Sequence, residues 1–234
     1  MDGLSSETFD IRRGVLIAGW AGVLWPVLAL IRVPLTRLLD QPSWSAPHAD
    51  IVRFYTESSF DAAFMAGIGL VAVAYALFLV FVANVADLVR RAYRESRWVS
   101  YLILGGAALD TALVYAYLAP FAAAVFLAGH GGVSDDVYLG LHGLSFSFLW
   151  IEMITVTLWM TPLGLVILRK RLFPAWLGWA MLANVAALLV SFFLPYEAWT
   201  ITGGLPYLWV FIAAVLLIRR SDHYASLAPA SGRS

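Results

Sequence analysis

Six apolar stretches constrain the fold of this chain more than any other feature. They cover about residues 14–35, 61–88, 98–127, 135–168, 174–195 and 203–218. A helix needs roughly 20 apolar residues to cross the hydrocarbon core, because each residue rises about 1.5 Å. Each stretch approaches or exceeds that length. The sequence therefore predicts an all-α, polytopic membrane protein with six transmembrane helices in a single bundle.

Composition excludes several other classes of protein. Of the 234 residues, 62% are apolar and 13% are charged, which lies outside the range of soluble domains. The formal net charge is zero, so no basic field covers the whole chain and no nucleic-acid partner is expected. The chain has no cysteine, which excludes thiolate metal sites and a cysteine nucleophile. We expect neither a metal nor a cofactor.

The distribution of basic residues predicts the orientation. Most of them fall on one side of the predicted bundle: Arg12, Arg13, Arg90, Arg91, Arg94, Arg97, Arg169, Lys170, Arg171, Arg219, Arg220 and Arg233. Only Arg32, Arg37 and Arg53 lie on or near the other side. Because Lys and Arg near span ends stay in the cytoplasm, the sequence predicts a multi-pass plasma-membrane protein with both termini cytoplasmic.

Three regions follow from this organisation. Residues 1–13 form a cytoplasmic leader, residues 14–218 form the transmembrane domain, and residues 219–234 form a cytoplasmic tail predicted to be disordered. The outer segment 36–60 contains a predicted short helix from about His48 to Ser58 with an apolar side. That helix either lies in the membrane interface or caps the mouth of the bundle.

Polar residues at depth in the membrane are the candidates for chemistry. A carboxyl group at the centre of a span costs about 2.5 to 3.5 kcal/mol on insertion scales, so its presence calls for a structural or functional reason. Asp110, Glu152 and Asn184 fall near mid-depth of the third, fourth and fifth predicted spans. We expect both carboxyls to face the interior of the bundle.

Helical spacing groups these residues with others. His142, Ser145 and Glu152 recur at helical steps and share one stripe of the fourth span, and Tyr117 shares a face of the third span with Asp110. All six residues are candidates for ligand binding or proton relay. The alternative is that the polar groups only form hydrogen bonds between helices.

Arg32 lies late in the first predicted span. Its long side chain is expected to reach the outer interface, away from the two carboxyls, or to pair with Asp61 or Glu57. No other Lys or Arg lies at their depth. The sequence therefore predicts that Asp110 and Glu152 are neutral, without a nearby counter-charge.

Two segments resemble a known group of proteins. The run Leu168-Arg169-Lys170-Arg171-Leu172-Phe173-Pro174-Ala175-Trp176-Leu177-Gly178-Trp179 resembles the start of the fifth span in an uncharacterised family of six-span bacterial membrane proteins common in actinobacteria. The segment from Ser45 to Tyr55 is similar to the first outer segment of that family. The resemblance implies a fold and no catalytic residues.

The sequence leaves three functions open. In the first, a polar pocket at mid-membrane binds a small or lipophilic molecule or relays protons, as in a transporter or carrier. In the second, an intramembrane enzyme acts on a lipid or isoprenoid with Asp110 or Glu152 as general acid. In the third, the chain is a non-catalytic partner or sensor subunit. Membrane lipid, a lipophilic molecule, a second copy and a partner membrane subunit are the expected partners.

The surroundings of the two carboxyls would discriminate between these functions. A water-lined route to one surface favours transport, a cleft open to lipid favours the enzyme, and tight packing favours the partner subunit.

Overall fold

The computed structural model describes residues 2–37, 40–92, 97–194 and 196–226. This part of the chain is all-α and contains eight helices: α1 (Asp2–Leu35), α2 (His48–Thr56), α3 (Ala62–Ala92), α4 (Arg97–Gly129), α5 (Asp135–Lys170), α6 (Ala175–Ser191), α7 (Tyr196–Arg219) and α8 (Ser221–Ser226).

Five of these helices are long and apolar enough to cross a membrane: α1, α3, α4, α5 and α7. The protein is therefore a multi-pass membrane protein. The remaining apolar helix, α6, has 17 residues and ends at Ser191, where the chain turns through Phe192. It is shorter than the predicted fifth span, whose expected end at position 195 lies outside the described residues. Six crossings remain a prediction.

Consecutive long helices pack antiparallel, and close contacts at glycines show it. Gly67, near the start of α3, lies against Leu35 at the end of α1. Gly178, near the start of α6, faces the carbonyl oxygen of Gly164 near the end of α5, and an added Cβ atom at Gly178 would lie 2.9 Å from that oxygen. These contacts leave no room for larger residues.

Both ends of the described chain lie on one side of the bundle, here called the terminal side. Arg12 Nε of α1 donates to Asp222 Oδ1 of α8 at 2.6 Å. Tyr224 is only 1% exposed and packs against Phe173. Residues 221–226 thus form a packed helix within the tail that the sequence predicts to be disordered, and residues 227–234 lie outside the described residues.

Helix α2 caps the bundle on the side opposite the termini. Ile51, Phe54 and Tyr55 are buried, and their cluster includes Phe121 of α4 and Tyr138 of α5. Of the two interpretations of the outer segment, the structure therefore supports a capping helix.

Candidate ligand cavity

A cavity of about 640 Å³ lies inside the bundle. That volume is typical of small-molecule binding sites. Its walls come mainly from α1, α4, α5 and α7, with Tyr75 from α3 and Gln41 from the segment before α2. Most of the lining is apolar.

The packing of α1 against α7 explains where the cavity begins. Near the terminal side, Gly19 and Gly22 allow α1 to approach Ala214 and Ile218 of α7, and an added Cβ atom at Gly19 would lie 2.5 Å from the Ile218 side chain. Farther along, each helix contains a proline, Pro26 in α1 and Pro206 in α7, and both prolines line the cavity. Proline removes a helical hydrogen bond and bends the helix, which opens space between neighbours.

The mouth of the cavity lies between α1 and α7. Leu30 of α1 is 71% exposed and Leu208 of α7 is 46% exposed, and both line the cavity. Gly204 also lines it and is exposed. The opening is therefore on the side of two helices that are long and apolar enough to cross a membrane.

The carboxyls of Asp110 and Glu152 lie at the inner end of the cavity. Asp110 is 3% exposed and Glu152 is 6% exposed, so the prediction that both face the interior is confirmed. Trp159 Nε1 donates to Asp110 Oδ2 at 3.2 Å. The two carboxyls are close enough to interact electrostatically, and Asp110 Oδ1 and Glu152 Oε2 are buried without a hydrogen-bond partner. Burial of two neighbouring carboxyls favours a proton on at least one of them.

Arg32 also lines this cavity, and the prediction that its side chain reaches the outer interface is wrong. The residue is 8% exposed. Thr36 and Gln41, which follow it in the chain, are also buried. The guanidinium acts electrostatically on Glu152, but no carboxylate lies within 4.0 Å of it in the described part of the chain.

Aromatic side chains form one wall of the cavity. Trp25 of α1 stacks on Tyr207 of α7 with ring centroids 4.4 Å apart. The hydroxyl groups of Tyr75 and Tyr207 are 3.0 Å apart and form a hydrogen bond. The Tyr75 and Tyr207 hydroxyl groups thus place polar atoms beside apolar ring faces. This wall suits the part of an amphiphilic molecule where its polar head joins its apolar chain.

Tyr117 lies at the end of the cavity nearest α2. Its hydroxyl group donates to Gln41 Oε1 at 2.7 Å, and both residues line the cavity. The predicted face of α4 that carries Asp110 and Tyr117 is therefore a cavity wall. Gln41 connects this wall to the segment that covers the bundle.

His142 and Ser145 lie on the buried stripe of α5 but do not line the cavity. His142 Nδ1 is 3.0 Å from the Tyr55 hydroxyl group, so this pair connects α5 to α2. Burial raises the pKa of Tyr55 above its usual range, which keeps the hydroxyl neutral and able to donate. Ser145 Oγ donates to the Tyr117 carbonyl oxygen at 2.9 Å and joins α5 to α4.

Asn184 has a different position from the two carboxyls. It is buried between α6 and α7, and its Nδ2 donates to the carbonyl oxygen of Thr202 at 3.0 Å. Thr202 precedes Pro206 by four residues, so Pro206 cannot supply the helical N–H that this carbonyl would otherwise accept. Asn184 replaces that missing donor, which is a structural role.

Besides the candidates predicted from the sequence, four side chains with aromatic or amide groups contribute to the site: Trp25, Gln41, Tyr75 and Tyr207. Arg32 contributes as well, although its sequence position predicts that it reaches the outer interface. An arginine inside a long apolar stretch is itself a signal of a buried site, and that signal could have identified Arg32. Gln41 carries no comparable signal, because it lies in a polar segment.

Comparison with family models, with curated proteins and with solved structures finds no match for this chain. Within the described residues, no group of three or more His, Asp or Glu side chains is arranged to hold a metal ion.

Proposed function

We propose that the protein binds a lipophilic molecule that enters the cavity sideways from the bilayer. One observation carries the proposal: the cavity has an exposed apolar mouth between α1 and α7 and a polar inner end at Asp110, Glu152 and Arg32. An amphiphile matches that arrangement, because its chain can remain among apolar residues while its head meets the polar groups.

The surroundings of the carboxyls favour binding over a proton path through the membrane. Two buried hydroxyl groups lie nearer the terminal side, those of Ser100 and Thr155, and each donates to a carbonyl oxygen of its own helix. Phe78 packs against Trp159 in the same region. Among the described residues, this side of the carboxyl pair offers no continuous polar chain along which protons could move.

An intramembrane enzyme is the second candidate, and the lateral opening favours it over a transporter with a water-lined route. The protonated member of the Asp110–Glu152 pair lines the cavity and could donate to a lipid or isoprenoid bound there. Binding is common to both candidates. Chemical change of the bound lipid separates them.

A photoreactive single-chain lipid tests the binding proposal. We expect labelling of peptides that contain Val114 and Val156, which are buried and line the cavity, and we expect an excess of unlabelled lipid to suppress it. Ile151, which is 49% exposed on the surface of the bundle, should be labelled without competition.

Labelling confined to exposed positions such as Ile151, with none at Val114 or Val156, would contradict the proposal. The unlabelled competitor is then extracted and analysed. If the extracted lipid is chemically unchanged, the result supports binding without a reaction. If the lipid has been converted to a product, the result supports the intramembrane enzyme.

We also propose six crossings, with the terminal side in the cytoplasm of a plasma-membrane protein. Helix α6 runs antiparallel to α5 and α7, and its 17 residues span about 25 Å, at the short end of the range for a crossing. Arg90 and Arg91 at the end of α3, and Arg169 and Lys170 at the end of α5, favour this orientation. The family resemblance and the expected partner subunit or second copy stay predictions.

Reporter fusions test the orientation. Alkaline phosphatase becomes active only outside the cytoplasm. Fused after position 234 it should therefore be inactive, and inserted between positions 130 and 133 it should be active. Activity at the C-terminus would refute the cytoplasmic assignment.

A further inference from the structure

Arg32 is a buried cation with free donor groups. Its side chain lines the cavity, and its Nε and Nη1 atoms are buried without a hydrogen-bond partner. An arginine at this depth is charged, because guanidinium does not lose its proton in proteins. Leaving such donors unpaired away from water is costly, so the native protein is expected to supply them with an acceptor.

The carboxyl pair does not supply that acceptor. Neither Asp110 nor Glu152 comes within 4.0 Å of the guanidinium in the described part of the chain. The neighbouring Tyr75 and Tyr207 hydroxyl groups are 3.0 Å apart and pair with each other. The described lining of the cavity therefore leaves the Arg32 donors open to a molecule inside it.

We propose that the cavity selects amphiphiles with an anionic oxygen head, a carboxylate or a phosphate, which binds Arg32. This inference rests on the proposed function and names its ligand class. Guanidinium donors form their strongest hydrogen bonds with carboxylate and phosphate oxygens. With the head at Arg32, the chain of the ligand leaves past Leu30 and Leu208 into the bilayer.

A series of ligands with one chain and different heads tests this inference. Hexadecanoic acid, hexadecyl phosphate, hexadecanol and hexadecylamine are each added to the purified full chain in detergent, and native mass spectrometry measures the bound fraction. Hydrogen bonds to a charged partner are stronger than hydrogen bonds between neutral groups. We therefore expect the acid, the phosphate or both to bind at least about tenfold more tightly than the alcohol, and the amine to bind least. The two anionic arms show which head the site prefers.

Substitutions of Arg32 complete the test. Arg32→Gln should lower the binding of the anionic ligand much more than that of the alcohol and so remove the difference between the two, and Arg32→Lys should restore part of the difference. Arg37→Gln is the matched control, because Arg37 is an exposed arginine near the same end of α1 that does not line the cavity. Arg37→Gln should leave the order of affinities unchanged.

Each outcome has a defined meaning. Equal binding of acid, phosphate and alcohol by the unchanged protein overturns the head-group inference and leaves the proposed function standing. Preference for the amine also overturns it, because the carboxyl pair would then hold the head. Failure of all four compounds to bind contradicts the proposed function itself. The head-group series uses the unchanged protein, so it decides the matter even if an Arg32 variant does not fold.

Discussion

Replacing Gly106 by leucine is expected to destabilise the bundle by about 3 kcal/mol, the upper end of the usual cost of overpacking. A Cβ atom at Gly106 would lie 3.0 Å from the backbone nitrogen of Trp159 and 3.1 Å from the backbone carbon of Leu158. Backbone atoms cannot rotate away, so α4 and α5 must separate. Asp110 lies one turn farther along α4, and its contact with Trp159 should be lost with the same movement.

The adjacent glycine provides the control. Gly105 is exposed, and a Cβ atom built there has no neighbour within 4 Å. Gly105→Leu should therefore be neutral or stabilising by less than about 1 kcal/mol, since leucine favours helix more than glycine does. Unfolding of both variants in mixed micelles of increasing denaturing-detergent fraction measures the difference. Equal stability of the two variants would show that α4 and α5 do not cross at Gly106.

The membrane helices could be predicted because their signal is local. Length and hydropathy identify α1, α3, α4, α5 and α7 without knowledge of their neighbours. The inward position of Asp110 and Glu152 could also be predicted, because lipid exposure of a carboxyl at that depth is costly. Both conclusions need only the order of residues along single helices.

The rest of the site depends on which helices are neighbours and on their register. Asn184 has the same signal as Asp110, a polar residue in an apolar span, yet it compensates for Pro206 in another helix. The burial of Arg32 depends on which helices pack around the end of α1, where Thr36 is buried as well. No periodicity within α1 contains that information.

Helix α5 shows the same limit within a single stripe. His142 and Glu152 lie on one buried face, as their spacing predicts, but the face meets two different neighbours along its length. At His142 the neighbour is Tyr55 of the capping helix, and at Glu152 it is the cavity. Helical spacing identifies a buried face, and the surroundings of each residue decide its role.

We propose that lipid enters the protein between α1 and α7. The Gly204→Leu variant tests this entry route most directly. Gly204 lines the mouth of the cavity, and a Cβ atom there meets nothing within 4 Å, so leucine fits the fold and fills the opening. We expect the binding of both hexadecanoic acid and hexadecanol to fall by about tenfold or more, a change of at least about 1.4 kcal/mol. Because hexadecanol has no anionic head, the loss of its binding does not depend on the proposed role of Arg32.

Gly105→Leu serves again as the matched control, because it makes the same change at an exposed glycine that does not line the cavity. The decisive measurement is native mass spectrometry of lipid bound to the unchanged protein and to these two variants, together with their unfolding without ligand. The account predicts that Gly204→Leu loses lipid binding while its stability without ligand matches that of Gly105→Leu. Full lipid binding by a folded Gly204→Leu variant would contradict entry between α1 and α7.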